Sequence, residues 1–108
     1  MAEDLQLLFA NVRGFDWNPR KREINLRDHK IDFEDVKGIF DGYTFVRRSD
    51  RHGEIRYQIF GYVHGREVAV AFTIRGDVCW LISARRANRS ERQKYYAGLP
   101  ERPPPGQD

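Results

Sequence analysis

The sequence contains few of the residues that build metal sites and disulfides. It has one cysteine, Cys79, and only three histidines among 108 residues. A single cysteine cannot form an intrachain disulfide, and the histidines lie far apart, without the paired spacing of a zinc site. We therefore expect a protein of a reducing compartment that uses no metal ion and no cofactor.

Long hydrophobic runs and nucleotide-binding loops are also missing. No run approaches the ~18 apolar residues that span a bilayer, and no glycine-rich phosphate loop or dinucleotide fingerprint occurs. The first four residues, MAED, are acidic and lack the basic start of a secretory signal. We expect a cytoplasmic protein that makes no contact with a membrane.

The length and composition predict one globular domain. The chain is 40% hydrophobic and 32% charged, which is typical of a folded protein of ordinary domain size. Proline is concentrated after residue 99, where we expect disorder. We divide the chain into an N-terminal arm (1–14), one domain (15–97) and a proline-rich tail (98–108).

Positive charge is concentrated near the C-terminus. The whole chain has a net charge of +3, whereas residues 85–94 alone contain five positive residues and one negative residue. A basic patch on a nearly neutral body is typical of phosphate contact. A solvated helix face explains the same run equally well, so the charge alone leaves both interpretations open.

The spacing of apolar residues predicts an α+β fold. Asn18-Pro19 is a typical helix start, and apolar residues recur at helical spacing over 33–40, whereas later segments read as strands. We expect two N-terminal helices, a four-stranded antiparallel sheet and a C-terminal helix. The predicted elements are an extended segment at 5–13, helices at 19–29 and 33–40, strands at 43–48, 54–63, 66–75 and 78–85, and a helix from Asn88 or Ser90 to about Tyr96.

Two short turns predict the register of the last three strands. If His64-Gly65 and Gly76-Asp77 are two-residue hairpin loops, Val63 pairs with Arg66 and Arg75 pairs with Val78. Side chains alternate along a strand, so each residue is assigned to a face. The face predicted to pack on the helices includes Ile55, Phe72, Leu81 and Ser83. The open face includes Glu54, Arg56, Arg75, Trp80, Ile82 and Ala84.

One end of the predicted open face has the groups that RNA cleavage without a metal requires. The reaction needs a base for the 2′-hydroxyl, a cation for the phosphorane and a surface for stacking. Glu54 can serve as the base, Arg56 and Arg75 can hold the phosphate, and Trp80 can stack on a nucleobase. Cross-strand Glu–Arg pairs are also common on exposed sheets and contribute only a few tenths of a kcal/mol. A structural role therefore stays open.

Several short stretches, taken in order along the chain, form a recognisable pattern. They are Phe15-Asp16-Trp17-Asn18 with Lys21, Asn25 and His29, then Phe33-Glu34-Asp35-Val36, Gly53-Glu54-x-Arg56-Tyr57, Thr73-x-Arg75-Gly76, and Ile82-Ser83-Ala84-Arg85-Arg86-Ala87 followed by Arg89, Glu91, Arg92 and Tyr95. Over about residues 15–96 this pattern resembles the BrnT toxin family. Asn18, Asp28 and Lys30 depart from the residues usual in that family.

The resemblance implies a RelE-like fold and a type II toxin that cleaves mRNA and so inhibits translation. It implies a BrnA-like antitoxin of ribbon-helix-helix type as partner, contact with operator DNA only through that antitoxin, and pairing of toxin subunits in the complex. The resulting catalytic candidates are Glu54, Arg56, Arg75 and Arg85. The substrate-binding candidates are Lys21, Trp80, Arg86, Arg89 and Arg92.

Two matters stay open at this point. The uniform register places Arg85 on the face opposite Glu54, in a second basic locus with Arg86, Arg89 and Arg92, where it either binds substrate or fixes the turn into the last helix. The alternative to an enzyme is a non-catalytic module that binds RNA or a partner and acts as a co-repressor subunit.

Overall fold

The computed structural model describes residues 3–42 and 44–98. The position of Tyr43, where we expected a strand to begin, and most of the proline-rich tail lie outside these residues. The elements in chain order are helix α1 (Leu5–Leu8), strand β1 (Gly14–Trp17), helix α2 (Pro19–His29), helix α3 (Phe33–Val36) with a 3-10 helix (Lys37–Asp41), strands β2 (Phe45–Arg48), β3 (Tyr57–Val63), β4 (Arg66–Arg75) and β5 (Val78–Arg86), and helix α4 (Arg89–Ala97).

The five strands form one mixed sheet in the order β1-β5-β4-β3-β2. β1 runs parallel to β5, and the other three pairs are antiparallel. The α+β class is confirmed, but the prediction of a four-stranded antiparallel sheet is wrong. β1 was missed because its partner strand lies some sixty residues further along the chain, so no local pattern indicates the pairing.

The N-terminal segment is helical where we predicted an extended arm. Asp4 caps α1, since its side chain accepts the backbone N–H groups of Gln6 and Leu7. Apolar side chains of this segment pack against the core (Leu5, Leu8, Phe9 and Val12). The division of the chain at residue 14 stays a prediction.

Helix α2 has the bounds that its sequence predicts. The side chain of Asn18 accepts the N–H groups of Arg20 and Lys21, and Pro19 occupies the first helical position. The second predicted helix has the right extent but ends in 3-10 geometry, and Gly38 lies within that part. No helix among the described residues is long and apolar enough to cross a membrane.

The core lies between one face of the sheet and helices α2 and α3. Phe72 and Leu81 are buried there, as predicted from their alternation. The prediction for Ile55 is wrong, because this side chain is 47% exposed. β3 begins only at Tyr57, and a tight turn with a bridge between Arg51 and Glu54 precedes it, so strand alternation does not extend to Ile55.

A bulge in β5 changes the face of every residue beyond it. Phe72 pairs with Leu81 as predicted, but Ala71 pairs with Ser83, so Ile82 is an extra residue in the strand. Ala84 is therefore in the core and Ser83 lies on the open face, the reverse of the prediction. The face predicted for Arg85 is wrong for the same reason, and the bulge places Arg85 on the open face.

Candidate active site

The open face of the sheet holds two adjoining depressions that together form a groove. One depression is lined by Arg56, Arg75 and Trp80. Glu54 is not a lining residue, but both arginines donate to its carboxylate, so we call this depression the Glu54 end. The other contains Arg85, and we call it the Arg85 end. Arg56 and Ile82 line both depressions, so the two adjoin at these side chains. The remaining lining residues are Asn18, Lys21 and Leu81 at the Glu54 end, and Ser49, Arg51, Tyr57, Gln58, Ala71 and Ser83 at the Arg85 end.

At the Glu54 end, one carboxylate holds two guanidinium groups. Arg56 Nε donates to Glu54 Oε1 at 2.9 Å, and Arg75 Nη2 donates to Glu54 Oε2 at 3.2 Å. Glu54 is brought to this place by the turn before β3, in which His52 and Gly53 have φ values of 53° and 74°, typical of a type I′ loop. The cluster carries a net charge of +1, which suits the binding of an anion.

The two arginines determine the ionisation of Glu54. The hydrogen bond from Arg56, and then the one from Arg75, hold the pKa of the Glu54 carboxyl below its usual value. Glu54 is therefore ionised at neutral pH and available to accept a proton. A low pKa also makes the carboxylate a weak base, so the arginines are the stronger chemical feature of this end.

Trp80 lies beside this cluster, with one face of its ring covered. The Arg75 guanidinium carbon lies 4.7 Å from the ring centroid of Trp80, a cation–π contact. Lys21, from the first turn of α2, lines the same depression. An indole and a lysine next to two arginines offer a stacking surface and a further cation to a nucleotide.

At the Arg85 end, a buried carboxylate holds another arginine. Arg85 Nη1 and Nη2 donate to Glu91 Oε1 and Oε2 at 2.7 and 2.8 Å. Glu91 is only 3% exposed, and it also accepts the backbone N–H of Asn88 at 2.9 Å in the capping box that begins α4. Arg85 holds the pKa of the Glu91 carboxyl below its usual value, despite burial.

A second arginine lies near the same carboxylate. Arg47 Nη2 is 3.9 Å from Glu91 Oε2, and Arg47 Nε donates to Gln58 Oε1 at 2.9 Å. Arg47, Gln58 and Glu91 were not among the predicted site residues. Only Glu91 had a signal in the sequence, because Asn88 and Glu91 have the spacing of a capping box.

The predicted second basic locus is divided in the structure. Arg85 lies in the groove, whereas Arg86 and Arg89 are exposed and line neither depression. Arg92 donates to the carbonyl of Ala87 at 2.9 Å, a contact that supports the turn into α4. Among the described residues, no group of three His, Cys, Asp or Glu side chains is arranged to hold a metal ion.

The fold and the groove together define a small α+β protein whose sheet presents two carboxylate-held arginine clusters. A family described as the ribonuclease toxin BrnT of type II toxin–antitoxin systems matches residues 17–91. The chain therefore belongs to the BrnT family, as the sequence resemblance predicted. Because the family consists of toxins of type II toxin–antitoxin systems, this chain is a toxin whose partner is an antitoxin.

The fold has a counterpart among solved structures. The crystal structure of the Brucella abortus ribonuclease toxin BrnT superimposes with a TM-score of 0.57 at 23% sequence identity. The match covers 72% of this chain and 100% of that chain. At this identity the likeness supports the fold alone. A search of curated proteins gives no match.

Proposed function

We propose that this protein is a metal-independent endoribonuclease that cleaves mRNA and inhibits translation. The observation that carries the proposal is the pair Arg56 and Arg75, which line the groove beside Trp80 and both donate to the Glu54 carboxylate. Membership of a family of ribonuclease toxins supports the same activity. Charged donors aimed at one anionic position are what phosphoryl transfer without a metal requires.

The proposed reaction is attack of a 2′-hydroxyl on the adjacent phosphorus. The O2′–P bond forms and the P–O5′ bond breaks, and the 2′-hydroxyl proton passes to Glu54. The departing 5′-oxygen takes a proton from water, and the hydroxide that remains takes the proton from Glu54, which restores the carboxylate. Arg56 and Arg75 neutralise the charge that develops on the phosphorane oxygens, since guanidinium groups match phosphate oxygens in pairs. The products are a 2′,3′-cyclic phosphate and a 5′-hydroxyl end.

Residues around the cluster bind the rest of the strand in this proposal. Trp80 stacks on a nucleobase with its free surface, and Lys21 contacts a phosphate at the same end. Arg85 contacts RNA at the other end of the groove. Arg86, Arg89 and Arg92 lie outside the groove, where they contribute to RNA affinity through general attraction to phosphates.

The proposed partners follow from the family. A BrnA-like antitoxin of ribbon-helix-helix type neutralises the toxin, operator DNA is contacted only through that antitoxin, and two toxin subunits pair in the complex. We propose a cytoplasmic location, where mRNA and such an antitoxin are both present.

The test is cleavage of single-stranded RNA by the purified protein in excess EDTA. We expect cleavage to proceed, with cyclic phosphate and 5′-hydroxyl ends. A doubly substituted protein, Arg56→Ala with Arg75→Ala, purified in parallel, controls for contaminating nucleases. Activity that disappears with the chelator and returns with magnesium contradicts the proposed mechanism. Binding of RNA without cleavage favours the non-catalytic module instead.

A further inference from the structure

The Glu91 carboxylate lies at the junction of the groove and helix α4. It is the most buried acidic side chain among the described residues, and both of its oxygens accept hydrogen bonds from Arg85. Arg85 itself is partly open, with 36% of its side chain exposed toward the groove. One member of this ion pair is therefore inside the protein and the other borders the groove.

The geometry of the pair leaves one edge of the guanidinium unused. A guanidinium has five N–H groups, and the pair with Glu91 uses the end formed by Nη1 and Nη2. Nη1 also donates to the carbonyl of Arg86 at 3.2 Å. Among the described residues, Arg85 Nε has no acceptor, so the edge formed by Nε and the second Nη2 hydrogen remains available. Two parallel donors on such an edge match two oxygens of a phosphate.

Burying the Glu91 carboxylate has a desolvation cost that offsets much of its attraction to Arg85. An ion pair with a buried member is therefore weak evidence for a purely stabilising role. α4 already has its N-cap in Asn88, which accepts the N–H of Glu91 at 2.9 Å. What the carboxylate adds is a fixed orientation for a long, flexible side chain that lines the same depression as Arg56.

We propose that Glu91 is a positioning residue, which holds Arg85 so that the free edge of its guanidinium binds a second phosphate of the RNA strand. This phosphate is a neighbour of the one held at the Glu54 end. The inference rests on the proposed ribonuclease function, and it extends that function by defining the substrate as a strand that occupies both ends of the groove.

The experiment measures binding of a fluorescent, single-stranded 2′-O-methyl RNA, which cannot be cleaved through its 2′-oxygen. Arg85→Ala is expected to weaken binding by about 10- to 100-fold. It should also lower by about 0.7 the salt slope, which is the steepness with which the logarithm of the binding constant falls with the logarithm of the salt concentration. Glu91→Gln is expected to shift both values in the same direction, because an amide nitrogen cannot accept from Arg85. The matched control is Arg27→Ala, which removes an exposed arginine paired with Asp28 on α2 and should leave the slope unchanged.

A double substitution separates positioning from stability. If Glu91 acts through Arg85, Glu91→Gln has no further effect on RNA affinity in a protein that already carries Arg85→Ala. Asn88→Ala weakens the cap of α4 but leaves the ion pair, so it should lower the melting temperature without lowering the salt slope. Three results contradict the proposal. They are full RNA affinity in Glu91→Gln, the same loss of affinity from Glu91→Gln with and without Arg85→Ala, and a lower salt slope in Asn88→Ala.

Arg85→Lys provides a test that does not depend on removing the buried charge. The lysine can still pair with Glu91, so the fold is preserved, but it has no second edge for a phosphate. We expect its RNA affinity to be close to that of Arg85→Ala, and full affinity contradicts the inference. Cleavage of natural RNA by the wild type, measured separately, shows whether the ribonuclease proposal itself fails.

Discussion

The Asn25 side chain accepts the backbone N–H of Ala84 at 2.9 Å and so joins helix α2 to strand β5 just beyond its bulge. β1, the parallel neighbour of β5, pairs only as far as Leu81, and the N–H of Ala84 lies beyond that pairing. Asn25 Nδ2 donates to the carbonyl of Ile31 at 2.8 Å, so one buried amide satisfies two backbone groups. This contact therefore ties the backbone of β5, two residues beyond the extra residue Ile82, to helix α2.

The first prediction concerns this amide. Asn25→Ala leaves a buried N–H and a buried carbonyl without partners, at a cost of about 2–4 kcal/mol in the free energy of unfolding. Asn25→Asp keeps the acceptor for Ala84 but buries an unpaired carboxylate against the Ile31 carbonyl, so at neutral pH we expect a loss at least as large as for alanine. Urea denaturation followed by circular dichroism measures both. Equal stability of Asn25→Ala and the wild type shows that the contact does not stabilise the fold.

The second prediction concerns the core beneath the groove. Phe72 and Leu81 are almost completely buried and face each other across β4 and β5. Replacing either by alanine should cost on the order of 2–5 kcal/mol. Leu7→Ala is the control, because this leucine is 76% exposed and its loss should change stability by less than about 0.5 kcal/mol. Nearly neutral changes at both core positions contradict the assignment of this face.

The sequence predicts some elements well because their signals are local. The bounds of α2 follow from Asn18-Pro19 at its start, and the paired residues at both hairpins follow from His64-Gly65 and Gly76-Asp77. The bulge at Ile82 has no such signal, since the surrounding residues alternate equally well in either register. The hydrogen bond next to it comes from Asn25, which is 59 residues away from Ala84.

In the candidate site, too, only the part that depends on local sequence signals was predicted correctly. Glu54, Arg56 and Arg75 were grouped correctly because they lie at the open end of a single hairpin, where Glu54 and Arg56 precede β3 and Arg75 ends β4. The place of Arg85 depends on the bulge and on a carboxylate from another element, so alternation alone predicts the wrong face. Their catalytic and binding roles are still predictions.

The third prediction concerns the chemistry of the Glu54 end. Arg75→Ala removes a cation that stabilises the phosphorane, and a preorganised donor of this kind contributes ~10²–10³ in rate. Arg75→Lys should recover little, because a point charge does not replace the paired donors of arginine. Glu54→Gln should also lower turnover. Single-turnover cleavage rates, with a melting curve for each protein, measure the effect, and wild-type rates in a folded Arg75→Ala protein contradict it.

The fourth prediction concerns pH. Arg56, and to a lesser degree Arg75, holds the pKa of Glu54 below its usual value of about 4.3, so this base is ionised throughout the neutral range. The cleavage rate should fall only when the pH drops below the usual range of a glutamate. Arg56→Ala should raise the pH at which the rate declines, because the main cause of the low pKa is removed. A decline centred between pH 6 and 7 in the wild type points to a histidine and contradicts the role of Glu54.

The most direct test of the account is induction of this chain in cells without its antitoxin, with 5′-hydroxyl RNA ends mapped before and after induction. We expect the wild type and Arg27→Ala to arrest growth and to produce new 5′-hydroxyl ends in mRNA, and we expect a co-expressed BrnA-like antitoxin to prevent both. Arg75→Ala, present at the same level and folded, should do neither. Full toxicity of Arg75→Ala, or arrest by the wild type without new RNA ends, contradicts the claim that this groove cleaves RNA.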